Sequence, residues 1–251
     1  MMKSILCLLL FLSFAQARTN LLLVGGGHRP AEAMKEFVAL AGSEKSYILI
    51  IPWASETIES AEMIKTEFQT HNAGRIEIVP HQIFSKDLDV LLSGIEKATG
   101  IFFTGGNQNI LMSVINEFKL ADIFKKKFRE GAVFGGTSAG TAIMSNPMLT
   151  GNADLSVLDG SKVELAEGLG LLPNGVIVDQ HFIIRSRFNR LGGLILADKA
   201  VLGIGVDENT SLLIKDKDAQ VIGPTQVLLF KKTGDNKLEI SVINPGMTFK
   251  F

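Results

Sequence analysis

Apolar residues in this chain come mostly in short unbroken runs, and each run stops at a glycine, a proline or a polar turn. Leu21-Leu22-Leu23-Val24 halts at Gly25-Gly26-Gly27, the run at 46–51 halts at Pro52, and Ile101-Phe102-Phe103-Thr104 halts at Gly105-Gly106-Asn107-Gln108. Runs of this length with no polar face predict strands buried on both sides. Arg75-Ile76-Glu77-Ile78-Val79 alternates instead and predicts a further strand. Between the runs, helical spacing predicts helices over 30–41, from an N-cap at Ser55 through 69, and over 86–99. Another helical stretch leads into Ala132-Val133-Phe134-Gly135. Strands alternating with helices predict an α/β fold, with a mostly parallel central sheet covered on both faces. Ligands bind such sheets at the carboxyl ends of the strands. The turns at Gly25, Pro52, Gly105 and Gly135 should therefore share one edge.

Beyond residue 145 the pattern loosens. Residues 146–160 read as a loop flanking that edge. Val176-Ile177-Val178 predicts a strand running into Asp179-Gln180-His181-Phe182, residues 191–198 a helix, and 201–206 a strand ending at Asp207-Glu208-Asn209-Thr210. Runs at 211–214, 220–222, 226–230 and 237–242 predict short antiparallel strands, a small C-terminal extension at the edge of the same domain. With no internal repeat and no linker, residues 18–251 read as a single catalytic-sized domain.

Composition narrows the classes. The net charge of −1, without a basic cluster interleaved with aromatics, points away from nucleic acid and from anionic membrane surfaces. Lys3, the apolar stretch around Cys7 and the ending Ala15-Gln16-Ala17 predict a signal peptide over 1–17, cleaved after Ala17, and hence a secreted or periplasmic protein. The apolar stretch is too short to span a bilayer. Cys7 is the single cysteine, so the mature chain is expected to lack disulfides, a cysteine nucleophile and cysteine-held metals.

The candidate chemistry centres on Gly136-Thr137-Ser138-Ala139-Gly140, a G-x-S-x-G turn between an apolar run and a helix-forming run. Such an elbow lifts a serine hydroxyl clear of the sheet and aims the following N–H at the same point. A serine nucleophile needs a base, and the base needs an acceptor. Of four histidines, His71 and His81 read as surface residues and His28 as a residue at the first strand's edge without a defined role. His181 ends an apolar strand and is the one histidine downstream of Ser138. Glu208, just past the next buried strand, is the better-placed carboxylate, giving the order serine, histidine, glutamate rather than the serine, acid, histidine order of α/β-hydrolases. Gly106 N–H and Ala139 N–H are the candidate oxyanion donors. The GxG at Gly25 lacks the third glycine and acidic partner of a dinucleotide site.

These four blocks together resemble the cyanophycinase branch of the peptidase E/cyanophycinase family of serine peptidases, over nearly the whole mature chain. The resemblance implies a three-layer α/β sandwich like that of class I glutamine amidotransferases. It implies Ser138 as nucleophile, His181 as general base and Glu208 as its orienting acid. Gln108, Asp179, Gln180, Arg185, Arg187 and Arg190 match positions lining the family's pocket, and Thr141 borders it. The implied substrate is cyanophycin, poly-aspartate with arginine on each side chain, cut to β-aspartyl-arginine dipeptides. No metal or organic cofactor is implied, and a homodimer is what the family suggests. The alternatives are a peptidase E-like aspartyl dipeptidase and a secreted relative that only binds peptides. Thr141 and Asn107 depart from the family's pattern and bear on substrate preference.

Overall fold

A computed structural model describes residues 19–81 and 87–251; the expected leader at 1–17 and residue 86 lie outside them. The first half of the chain runs β1 (Asn20–Val24), α1 (Ala31–Ala41), β2 (Tyr47–Ile51), α2 (Glu59–Thr70), β3 (Arg75–Ile78), α3 (Leu88–Lys97) and β4 (Gly100–Phe103). It continues through α4 (Gln108–Glu117), α5 (Ala121–Arg129), β5 (Val133–Thr137) and the four-residue α6 (Ala139–Ala142). After these come β6 (Met148–Ala153), β7 (Val163–Ala166), β8 (Val176–Asp179), α7 (Phe188–Leu196) and β9 (Leu202–Val206). The chain ends with β10 (Ser211–Lys215), β11 (Asp218–Ile222), β12 (Val227–Gly234), β13 (Lys237–Ile243) and β14 (Thr248–Lys250).

The main sheet has eight strands in the order β14-β11-β10-β1-β5-β4-β2-β3. From β1 to β3 every pairing is parallel, and β10, β11 and β14 add on antiparallel. The unbroken apolar runs do lie buried on both faces. Within β4, Phe102 packs with Phe37 of α1 and Phe68 of α2, while its neighbour Phe103 packs on the other face against Phe124 of α5 and Phe134. Successive strand residues point to opposite faces, so one strand supplies both cores.

Three expectations are corrected. The antiparallel C-terminal strands do not form one edge extension. β10, β11 and β14 widen the main sheet, whereas β12 and β13 join β9 and β8 in a second, four-stranded sheet of order β13-β12-β9-β8. One face of that sheet shares the main core, through Val178, Ile204, Val206, Val227 and Leu229, and α7 covers the other through Leu191, Leu194 and Ile195. Residues 146–160 are not all loop, because β6 pairs antiparallel with β7. Ser55 does not cap α2, which starts at Glu59; its Oγ instead accepts from Thr57 N at 3.3 Å within the turn. Asp87 is the cap of α3, its carboxylate accepting from Val90 N at 3.3 Å.

Candidate active site

The strand ends gather as expected, and glycine is what lets them close in. Ser138 follows β5 with φ 52° and ψ −111°, a conformation that costs a non-glycine residue about 1–3 kcal/mol. Its N–H donates to Val24 O at the end of β1 (3.1 Å), and its carbonyl accepts from Thr141 N and Ala142 N at the start of α6. Side chains are excluded around it: a methyl group on Gly136 would lie 2.3 Å from the Gly140 backbone, and one on Gly140 the same distance from Phe103 O. The elbow is therefore real as backbone geometry.

His181 and Glu208 arrive from the second sheet, at the ends of β8 and β9. His181 Nε2 stands 2.8 Å from Ser138 Oγ, and His181 Nδ1 stands 2.5 Å from Glu208 Oε1. The ring rests on the Gly25-Gly26-Gly27 turn. A methyl group on Gly26 would lie 2.2 Å from His181 Cε1, and His181 N donates to Gly25 O at 2.7 Å. Asn209 N donates to Gly26 O, and Asn209 Oδ1 accepts from His28 N, which fixes the same turn from the glutamate's side. The sequence places this glycine triplet as a turn at the site edge, but not as the seat of the histidine ring. Three consecutive glycines at a buried strand's carboxyl end were the available signal.

Gly105 and Gly106 stand beside the serine. A methyl group on Gly105 would lie 3.4 Å from Ser138 Cβ, and Gly106 has φ 137° with Ala54 O against its Cα hydrogens. Among the described residues, neither Gly106 N–H nor Ala139 N–H donates to a backbone acceptor outside the regular elements. Asn107 is the N-cap of α4, its side chain accepting from Asn109 N and Ile110 N. Gln108 is buried behind it and donates from Nε2 to Leu149 O of β6 at 3.0 Å.

The residues matched to a substrate pocket divide. Arg185 is exposed on the turn after His181. Asp179, by contrast, is buried and takes both Nε (2.6 Å) and Nη2 of Arg190 and, at 3.3 Å, Nη1 of Arg187. Arg190 is 1% exposed and also reaches Gly151 O. Arg187 donates in addition to Gln180 O at 2.7 Å. This two-arginine, one-aspartate cluster braces the strand that carries His181, so the Asp179 carboxylate offers no free oxygen to a substrate cation. Thr141 is likewise fully buried, its hydroxyl turned to Val24 O and Gly136 O. Gln180 is different: its Oε1 is buried without a hydrogen-bond partner among the described residues.

Asp207 was not singled out from sequence as a site residue. It accepts from Ile183 N and Ile184 N (3.0 and 3.1 Å) and pins the turn between His181 and Arg185. Burial pushes the His181 pKa below its ordinary 6.5; hydrogen bonding and charge from Glu208 oppose this, while Arg185 and Arg187 add to it. The imidazole is thus held neutral near pH 7, able to take a proton from a hydroxyl. No group of His, Cys, Asp and Glu suited to a metal occurs among the described residues.

The model of peptidase family S51 matches residues 21–222. A cyanophycinase of Trichormus variabilis is 34% identical over 224 residues, covering 86% of this chain and 74% of that protein. A peptidase E of Nostoc sp. is 27% identical over 220 residues, covering 82% and 84% of the two chains. The crystal structure of a peptidase from an acI-B1 actinobacterium superposes with a TM-score of 0.70 at 22% identity, over 93% of this chain and 97% of that one, and shares the fold.

Proposed function

Because the chain belongs to peptidase family S51, we propose that it is an exported serine exopeptidase that hydrolyses the aspartyl backbone of cyanophycin to β-Asp-Arg dipeptides. The observation that carries this reading is the continuous hydrogen-bonded line Ser138 Oγ–His181 Nε2–Nδ1–Glu208 Oε1 at the carboxyl edge of the sheet.

In the proposed reaction Ser138 Oγ attacks an aspartyl carbonyl carbon while His181 Nε2 takes the hydroxyl proton. Glu208 holds the ring and offsets the imidazolium charge. The oxyanion forms between Gly106 N–H and Ala139 N–H. The C–N bond breaks, His181 returns the proton to the leaving amine, and water then attacks the acyl-enzyme by the same route. Arg185 is the exposed guanidinium beside the histidine and can take a substrate carboxylate bidentately. Gln180, matched to the family's pocket, has a buried Oε1 without a hydrogen-bond partner among the described residues and is the proposed acceptor for a substrate N–H. Arg187 and Arg190 support this edge through Asp179 and are not placed in direct contact with substrate.

The relatedness to peptidase E supports a second reading, an aspartyl dipeptidase acting on short peptides. One experiment separates these and the non-catalytic alternative. Purified mature protein is incubated with insoluble cyanophycin and, separately, with Asp-X dipeptides. Release of β-Asp-Arg from the polymer is expected, abolished in Ser138→Ala by about 10⁴-fold or more with the fold retained. Cleavage of dipeptides alone would favour the second reading, and cleavage of neither would sink both. Export is tested by sequencing the N-terminus of protein recovered outside the cytoplasm, where a start at Arg18 is expected.

A further inference from the structure

We propose that Thr141 is a positioning residue that holds Ser138 in its reactive backbone conformation through its hydroxyl. This rests on Ser138 being the nucleophile. The side chain is fully buried on the first turn of α6, and its Oγ1 lies 2.7 Å from Val24 O and 2.8 Å from Gly136 O. A hydroxyl has one hydrogen, so it is shared between two carbonyls, one at the end of β1 and one two residues before the serine. Val24 O also accepts Ser138 N. One carbonyl of the neighbouring strand therefore grips the elbow at the serine itself and one turn further on.

Ser138 needs such a grip. Its φ of 52° and ψ of −111° persist only where the surroundings over-determine them. Without the hydroxyl, α6 keeps Ser138 N on Val24 O and Gly140 N on Thr104 O but loses its side-chain tie to the end of β1. Relaxation of the elbow would move Oγ away from His181 Nε2 and turn the Ala139 N–H from the oxyanion position together. Loss of the hydroxyl should thus slow acylation without changing how substrate is held, because Thr141 does not reach the pocket. The side chain expected to tune substrate preference instead tunes the nucleophile.

The test is the rate at which Ser138 is acylated by a small fluorophosphonate, read by mass spectrometry. In that reaction the Oγ–P bond forms, the P–F bond breaks, fluoride leaves and the hydroxyl proton passes to His181. Thr141→Val is nearly isosteric and lacks the hydroxyl; it should label about 10- to 100-fold more slowly than wild type, as expected for a misplacement on the order of 1 Å. Thr141→Ser keeps the hydroxyl and should label within about 3-fold of wild type. On a hydrolysed substrate, Thr141→Val should lower kcat with KM held and with the acid limb of the pH profile unmoved. Wild type that fails to label at Ser138 overturns the nucleophile assignment and this proposal together. Wild type that labels while Thr141→Val labels equally fast overturns this proposal alone. If Thr141→Val does not fold, Thr141→Ser and Thr141→Ala decide: equal slowing of both shows methyl packing rather than the hydroxyl, and the proposal fails.

Discussion

At the scale of single residues, the candidate site sets a histidine whose pKa is lowered by burial between a strained serine and a carboxylate. In the proposed mechanism His181 acts as the base, which it can do only when unprotonated, so the rate should rise as pH climbs through its pKa. Burial, the largest cause, places that pKa below the ordinary imidazole value, and Arg185 pushes it the same way. Arg185→Gln removes one downward push, so the acid limb of kcat/KM should shift to higher pH. A limb that stays put, or moves down, would separate Arg185 from the histidine's electrostatics. Glu208→Gln removes an upward push, and the limb should move to lower pH alongside a loss in kcat. The gathering of Ser138, His181 and Glu208 at one edge was legible in the sequence because each stands at a punctuated strand end. The burial of Asp179 and Arg190 was not, since two residues eleven positions apart carry no sign of which way their side chains turn.

At the scale of elements, β8 and α7 are bound to one another by the Asp179–Arg187–Arg190 cluster. Removing one member of a buried ion pair leaves the other uncompensated, and Arg190→Met should cost about 3 kcal/mol in urea unfolding. Lys250→Met, which breaks an exposed pair with Asp218, should leave the unfolding midpoint in place. A similar midpoint for the two variants would mean that Arg190 is not a brace. Helix and strand positions in the first half were readable because buried runs and turn residues announce their own ends. The antiparallel C-terminal strands were readable as strands, but not as members of two sheets. Val176-Ile177-Val178 and Leu202-Gly203-Ile204 look like the runs of the main sheet, and periodicity does not name a strand's neighbour.

At the scale of the whole molecule, those two sheets meet at the site. Ser138 follows a strand of the eight-stranded sheet, and His181 and Glu208 follow strands of the four-stranded one. The crossing is made by the chain itself, which leaves β9 at Asp207 and enters β10 beside β1, with Gly25 N donating to Thr210 O. The single tryptophan, Trp53, is 2% exposed in the main core, and its indole N–H donates to Val79 O just past β3, at the β2–β3 end of the eight-stranded sheet. In a urea titration, enzymatic activity should therefore disappear at a lower concentration than the tryptophan emission shift. Superimposable curves would mean that the sheets part only when everything unfolds.

That junction makes the carboxyl end of β1 the common anchor of the site. Val24 O accepts Ser138 N, Gly25 O accepts His181 N and Gly26 O accepts Asn209 N, so three consecutive carbonyls of one strand end hold the approaches of all three residues. The strand end is a keystone: a side chain added at Gly26 would meet the imidazole ring and should part the serine–histidine contact without altering any of the three residues.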